Sequence, residues 1–535
     1  MPLNKRFFRI FILLTLIYLA FQMKPWASVV GNIYNGDDNS YYAYVSSIVN
    51  DFDLDFSNNE TKEMWGVSAK TGRIISGHPM GTSVLLMPFY LAAKPFVLLF
   101  DRLTGSPFNQ RHPIFFMFMC AGILAYAYWG ACLLLRGLLL LRIKEDLSVI
   151  AVILTVWATI LPAYIFKRPI FTPVPQFFLI SALLYLTIKW RDQAQLSLKQ
   201  TMAISLVAAL IFLVRWNDIH ILAFIFLYLV LSPRRDQARR RIIKTVIFLI
   251  TVAVIFTLTQ GLAWRSFLGE GYLKFILDRV NEHGSPKVLV SMQTFKNLLH
   301  IFFAIDWGLL YTMLPFALGL VCFIWLNPLL IVKSRNLNRI IYLLLFSLPF
   351  MVVIKWQLQG CYYGYRHLLS LLPFTCVGMA VFFEKITGIF PRSKKIIWVF
   401  SLVLLAFNFL LILPFEYTPS TTLELGTSRL GQSGWVNNEY AINAIKIYFI
   451  SSPAVLAGMF LRGFFGGYIF SGLYLLFPQL FLKFANSKVM DYYILDKPDE
   501  YCVLFYPLLA VLFLILTNLF VNKPATIIKD GRDTR

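Results

Sequence analysis

The chain has 535 residues, 58% of them hydrophobic and only 14% charged, with a mean hydropathy of +0.67 and a formal charge of +22. Soluble domains are about 45–50% apolar and about 25% charged, so a soluble enzyme of this length would have more apolar surface than its core could hide. The composition excludes secreted disulfide scaffolds, cytosolic Rossmann enzymes and disordered proteins, and it predicts an all-α polytopic integral membrane protein.

In chain order, the first apolar run is at 7–23. It has a basic start and no small-x-small cleavage site, and is expected to be an uncleaved first span. The segment 24–110 follows as a long first outer loop, polar and acid-rich over 51–77 and apolar over 80–100. That apolar end is long enough to cross a bilayer, but crossing would invert every later loop and carry the cations of 234–244 outside. It is therefore expected to be an interfacial helix or hairpin. Further spans are predicted at about 111–135, 147–166, 174–190, 201–214, 218–231, 245–263, 303–326, 340–354, 367–384, 396–413, 445–461, 463–483 and 501–521. The expected total is about 11–14 transmembrane helices. Six scattered cysteines form no C-x-x-C pair, and the G-x-x-x-G of Gly463 and Gly467 reads as helix packing.

The positive charge is placed, not spread. With the N-terminus inside, the predicted inner segments hold 27 of the 49 Lys and Arg residues against seven acids. The rest of the chain holds 22 cations and 20 acids. Such asymmetry marks the inner face of a membrane protein. It accounts for the charge through contact with anionic membrane lipids, with no nucleic acid among the expected partners.

Several motifs carry chemistry. Gly36-Asp37-Asp38-Asn39-Ser40-Tyr41-Tyr42 sets two adjacent carboxylates just beyond the first span. A carboxylate there can take a proton from an attacking hydroxyl, and the same Gly-Asp-Asp is equally good helix N-cap chemistry. His78-Pro79-Met80-Gly81 ends the polar part of the same loop. Cations recur where the topology puts the outer mouth, in Lys167-Arg168-Pro169, Arg215-Trp216-Asn217-Asp218 and Tyr362-Tyr363-Gly364-Tyr365-Arg366-His367. Charges at membrane depth are costly and point to function, and Arg grips phosphate oxygens in pairs. Snorkelling, or pairing of Arg215 with Asp218, explains each one singly. Asp306 lies in an apolar stretch, as a buried partner for an Arg or as an interfacial loop residue. Asn59-Glu60-Thr61 matches a glycosylation acceptor.

The order of these motifs resembles the GT-C glycosyltransferases, in the bacterial branch of protein O-mannosyltransferases and the lipid A aminoarabinose transferase. The resemblance rests on Gly36-Asp37-Asp38, Asp51-Phe52-Asp53-Leu54-Asp55, His78-Pro79-Met80-Gly81, Arg168-Pro169-Ile170-Phe171-Thr172, Val214-Arg215-Trp216 and Tyr363-Gly364-Tyr365-Arg366-His367-Leu368-Leu369. It covers about residues 1–385 as a transmembrane catalytic region, and leaves the helices and loops of 386–535 unassigned. Asp37-Asp38 stands for the family's Asp-Glu, and Trp216 for the Pro after its Arg.

The resemblance implies transfer of one sugar, with inversion, from a polyprenyl-phosphate donor to a lipid, glycan or protein acceptor. It implies the outer face of a bacterial inner membrane, with both termini cytoplasmic. Asp37 would deprotonate the acceptor hydroxyl with Asp38 in support, and Arg168, Arg215 and Arg366 would hold the donor phosphate. Tyr41, His78, Tyr363 and His367 are the expected supporting substrate contacts. No motif requires a cofactor or metal, and the acidic residues leave a divalent metal open. Two rivals stand beside this reading: an O-antigen polymerase or ligase, and a polytopic lipid or sugar transporter, which would show an internal repeat or broken helices.

Overall fold

The computed structural model describes residues 5–22, 37–57, 67–110, 112–166, 168–231, 238–268, 298–302, 309–356, 366–412 and 500–522, apart from single positions 69, 75, 77, 192, 194 and 300. The expected spans at 445–461 and 463–483, and Asn59, Asp306, Tyr363, Gly463 and Gly467, lie outside the described residues.

The described chain is helical. In order it forms α1 (Lys5–Gln22), α2 (Asp37–Ser46), α3 (Gly81–Thr104), α4 (Pro113–Leu140), α5 (Glu145–Trp157), α6 (Leu161–Phe166), α7 (Pro173–Lys189), α8 (Leu198–Val214) and α9 (Ile219–Leu231). Then come α10 (Ala238–Phe256), α11 (Leu262–Leu268), α12 (Leu309–Thr312), α13 (Leu314–Leu326), α14 (Arg335–Trp356), α15 (Leu372–Ile389), α16 (Ser393–Ile412) and α17 (Glu500–Asn522). No β-strand occurs among the described residues, where one bridge joins Val67 to Ile74. The stretches Gly81–Thr104, Pro113–Leu140, Arg239–Ser266 and Arg366–Ile389 are long and apolar enough to cross a membrane. This is the architecture of an α-helical membrane protein.

Local chemistry sets the helix ends. Proline stands in the first two positions of α4, α7, α13 and α15, where its missing N–H costs nothing. Ser197 and Gln200 close a reciprocal capping box at the start of α8. The predicted span 147–166 is two helices. The chain breaks at 158–160, and the freed carbonyls of Trp157 and Thr159 accept from the Asn408 side-chain amide at 2.9 and 2.7 Å. Apolar content alone does not reveal that break, because the amide that satisfies it comes from a helix 250 residues later.

Helix α4 lies at the centre of the packing. The apolar end of the first loop, expected as an interfacial helix or hairpin that does not cross, is one helix, α3, long and apolar enough to cross a membrane and packed on α4. The two run antiparallel: the Tyr126 hydroxyl donates to the Leu85 carbonyl at 2.8 Å, and the rings of Phe100 and His112 meet at 4.9 Å. Helix α17 runs parallel to α4 on another side. There the Tyr128 hydroxyl donates to Asn518 at 2.8 Å and the Arg136 guanidinium to the Val521 carbonyl. Tyr128, Phe11, Trp157, Tyr18 and Phe166 join α1, α4, α5 and α6 in one aromatic stack. Helices α13 and α15 cross at Gly319 and Gly378, where any Cβ would overlap the facing backbone. Such small-residue crossings let two membrane helices approach closely.

The bundle has two chemically distinct ends. At one, Lys144 pairs with Glu384 at 3.6 Å and Lys394 with Asp146. The Arg240 guanidinium reaches Gln195 at the same end, since Gly137 of α4 packs on Ile188 of α7. Parts of the segments 136–146, 189–199, 234–244 and 384–395, predicted to share the inner face, thus meet at one end. Arg215, Arg366 and the start of α7 lie at the opposite end of their helices.

Candidate functional site

Helix α8 stops at Arg215, which turns to extended backbone at φ −156° and ψ 97°. A 3-10 turn over Trp216–Asp218 then redirects the chain into α9. This corner buries three polar side chains: Arg215 is 6% exposed, Asp218 2% and His220 1%.

The Arg215 guanidinium donates to the Arg366 carbonyl at 3.1 Å and to Nδ1 of His367. A guanidinium has no acceptor, so Nδ1 of His367 is the acceptor and its ring proton sits on Nε2. Arg366 and Arg168 both lie over the ring of Phe171, with their guanidinium carbons 5.1 and 6.0 Å from its centroid. Arg168, Arg215 and Arg366 come from segments up to 198 residues apart in sequence. The structure brings them to one place, with His367 in contact.

Behind the arginines, around Asp218, lie buried polar side chains that the motifs did not single out: Gln176, His220 and Ser370. Gln176 of α7 donates from Nε2 to the Asp218 carboxylate at 2.7 Å. Nδ1 of His220 stands 3.9 Å from the same carboxylate, and the Ser370 hydroxyl meets Nε2 of that ring at 3.5 Å and the His367 carbonyl at 3.3 Å. Arg215 is within electrostatic reach of Asp218, Arg366, Tyr41 and Tyr164. Gln176, His220 and Ser370 each sit inside an apolar run. A polar side chain in such a run needs a buried partner, and that was the signal available for them.

The first loop packs onto this corner. Gly81 opens α3 so close to α8 that a Cβ there would overlap the backbone of Leu213 and Val214, next to Arg215. The Tyr41 and His78 rings meet at 5.4 Å. Ser83 donates to the Tyr41 carbonyl at 2.8 Å, and the Tyr44 hydroxyl to the His78 carbonyl at 3.3 Å. A small core of Tyr44, Phe56, Met80, Leu213 and Trp264 seats the loop on α8 and α11. The end of α2 is fixed separately, by Ser46 and Asn50 bonding through Gln110 and Tyr90 to the turn before α4. Further out in the loop, the Ser57 backbone N–H and hydroxyl hold the Asp55 carboxyl below its usual range.

Asp37 and Asp38 are the first two residues of α2, and Tyr41 follows Asp37 by about one helical turn. The motif thus lies at the described start of α2, whose Tyr41 packs against His78 beside the arginine corner. Of the expected site residues, Tyr41, His78, Arg168, Arg215, Arg366 and His367 gather here, and Tyr363 lies outside the described residues. Among the described residues no group of three or more His, Cys, Asp and Glu could hold a metal ion. Cys120, Cys132, Cys322 and Cys376 are buried.

No protein-family model matches the chain, and no curated protein matches it.

Proposed function

We propose that the chain is an inverting glycosyltransferase, moving one sugar from a polyprenyl-phosphate donor to a lipid, glycan or protein acceptor. The reading is carried by one observation: three arginines from separate segments, Arg215 buried, Arg366 half-buried and Arg168 exposed, converge on a corner against which the Asp37-bearing loop is packed. In this reading Arg168, Arg215 and Arg366 hold the donor phosphate. Asp37 takes the proton of the acceptor hydroxyl as its oxygen bonds to the anomeric carbon. The bond from that carbon to the phosphate oxygen breaks, and polyprenyl phosphate leaves with the electron pair. Guanidinium groups fixed before the reaction stabilise the charge gathering on that phosphate.

The transporter rival gains a broken helix at 158–160. Its open carbonyls are taken up by Asn408, and Tyr18 adds a bond to the Trp157 carbonyl at 3.2 Å. The break is thus satisfied from within, which favours a structural role.

The test is a transfer assay in lipid-reconstituted protein, with a panel of radiolabelled polyprenyl-phosphate sugars and a membrane extract as acceptor. Asp37→Asn keeps the size and removes the base. Transfer is expected to fall by about 10²–10⁴-fold with the fold retained, and full activity in the variant would remove Asp37 from the mechanism. The reading also places the arginine corner on the outer face of a bacterial inner membrane. Cysteines at Lys70 and Arg240 should then label from opposite sides, and labelling from one side would overturn that placement.

A further inference from the structure

Arg215 has five N–H donors, and its hydrogen bonds among the described residues go to the Arg366 carbonyl and the His367 ring. Neither partner is an anion. Asp218 is close enough to interact electrostatically with Arg215, yet its carboxylate is bonded elsewhere, by Gln176 at 2.7 Å. Buried Arg215 and half-buried Arg366 meanwhile repel one another. Buried charge is tolerated only when compensated. A direct Arg215–Asp218 fork would compensate it but would occupy the donors that a phosphate needs.

We propose that Asp218 is the internal counter-charge of the phosphate site, tethered by Gln176 so that it offsets Arg215 and Arg366 without bonding to Arg215. It holds the site together while empty and weakens the grip on the anion when full, so that the leaving phosphate can depart. Asp218 is a positioning and affinity-setting residue, not one that touches substrate. The inference rests on the phosphate-site reading above.

Two arms test it. The first uses no ligand. Asp218→Asn should lower the melting temperature of the full chain in nanodiscs, and the added change Arg215→Met should restore much of it, because the charge left uncompensated is then gone. Equal or additive losses in the double variant would overturn the proposal. If Asp218→Asn alone does not accumulate, accumulation of the double variant supports the proposal, and failure of both overturns it.

The second arm adds polyprenyl phosphate, with polyprenol as the control. Asp218→Asn should bind polyprenyl phosphate roughly tenfold tighter than the parent. Unchanged binding would make Asp218 merely structural, and weaker binding would make it an aiming residue for Arg215; either result overturns the proposal. If the parent protein binds polyprenyl phosphate no better than polyprenol, the phosphate-site reading itself falls, whatever the ligand-free arm shows.

Discussion

Lys144 and Lys394 at one end of the bundle differ from Arg215 at the other in how their charge is met. Lys144 and Glu384 keep side-chain exposures of 61% and 30%, and Lys394 and Asp146 keep 55% and 24%. Each such pair forms in water, loses side-chain freedom in forming, and is screened by salt. Arg215 is buried, and its contacts are a carbonyl and an imidazole. There the solvation lost is large and no ion pair recovers all of it. Charge at the first end follows from where a membrane protein puts its cations. Charge at the second is costly to keep, and that cost is the physical argument for a ligand.

Two substitutions sharpen the contrast. Arg366→Ala should reduce transfer by about 10²–10³-fold, the loss typical when one preorganised donor to developing charge is removed, with the folded protein still eluting as the parent does. Undiminished turnover would erase the distinction between the ends. Lys394→Ala, at the other end, should change stability by less than about 1 kcal/mol and leave transfer unchanged, read by thermal melting and the same assay. A large loss there would show that the exposed pair of α5 and α16 carries more than surface charge.

The arginine corner was legible because each cation stood beside an apolar run, where a charge is conspicuous. Arg168, Arg215 and Arg366 could be named singly, and so could the order of their motifs. Their shared use of Phe171 and of the Arg366 carbonyl depends on the packing of α7, α8 and α15. The polar set behind them was hidden, since Gln176 and Asp218 are 42 positions apart and His220 and Ser370 are 150 apart. Helix positions were legible to within a few residues where the apolar run was uninterrupted, as at α8 and α16. The break at 158–160 and the crossing of Gly319 with Gly378 were not. Each depends on what faces it across the bundle, and a one-dimensional pattern records only what stands beside it.

The seam between α4 and α17 also sets a timetable. Tyr128 and its partner Asn518 are 390 positions apart. At ribosomal rates of about 5–20 residues per second, roughly 20–80 s separate the synthesis of the two. For that interval the Tyr128 hydroxyl and the Arg136 guanidinium lack the acceptors that α17 brings, although Phe11 of α1, which covers the Tyr128 ring, is already made. The bundle is thus closed late, by a helix that inserts against an assembled partner. A ribosome stalled before residue 500 would leave that hydroxyl and that guanidinium without the partners α17 supplies, a defect that membrane quality control can recognise.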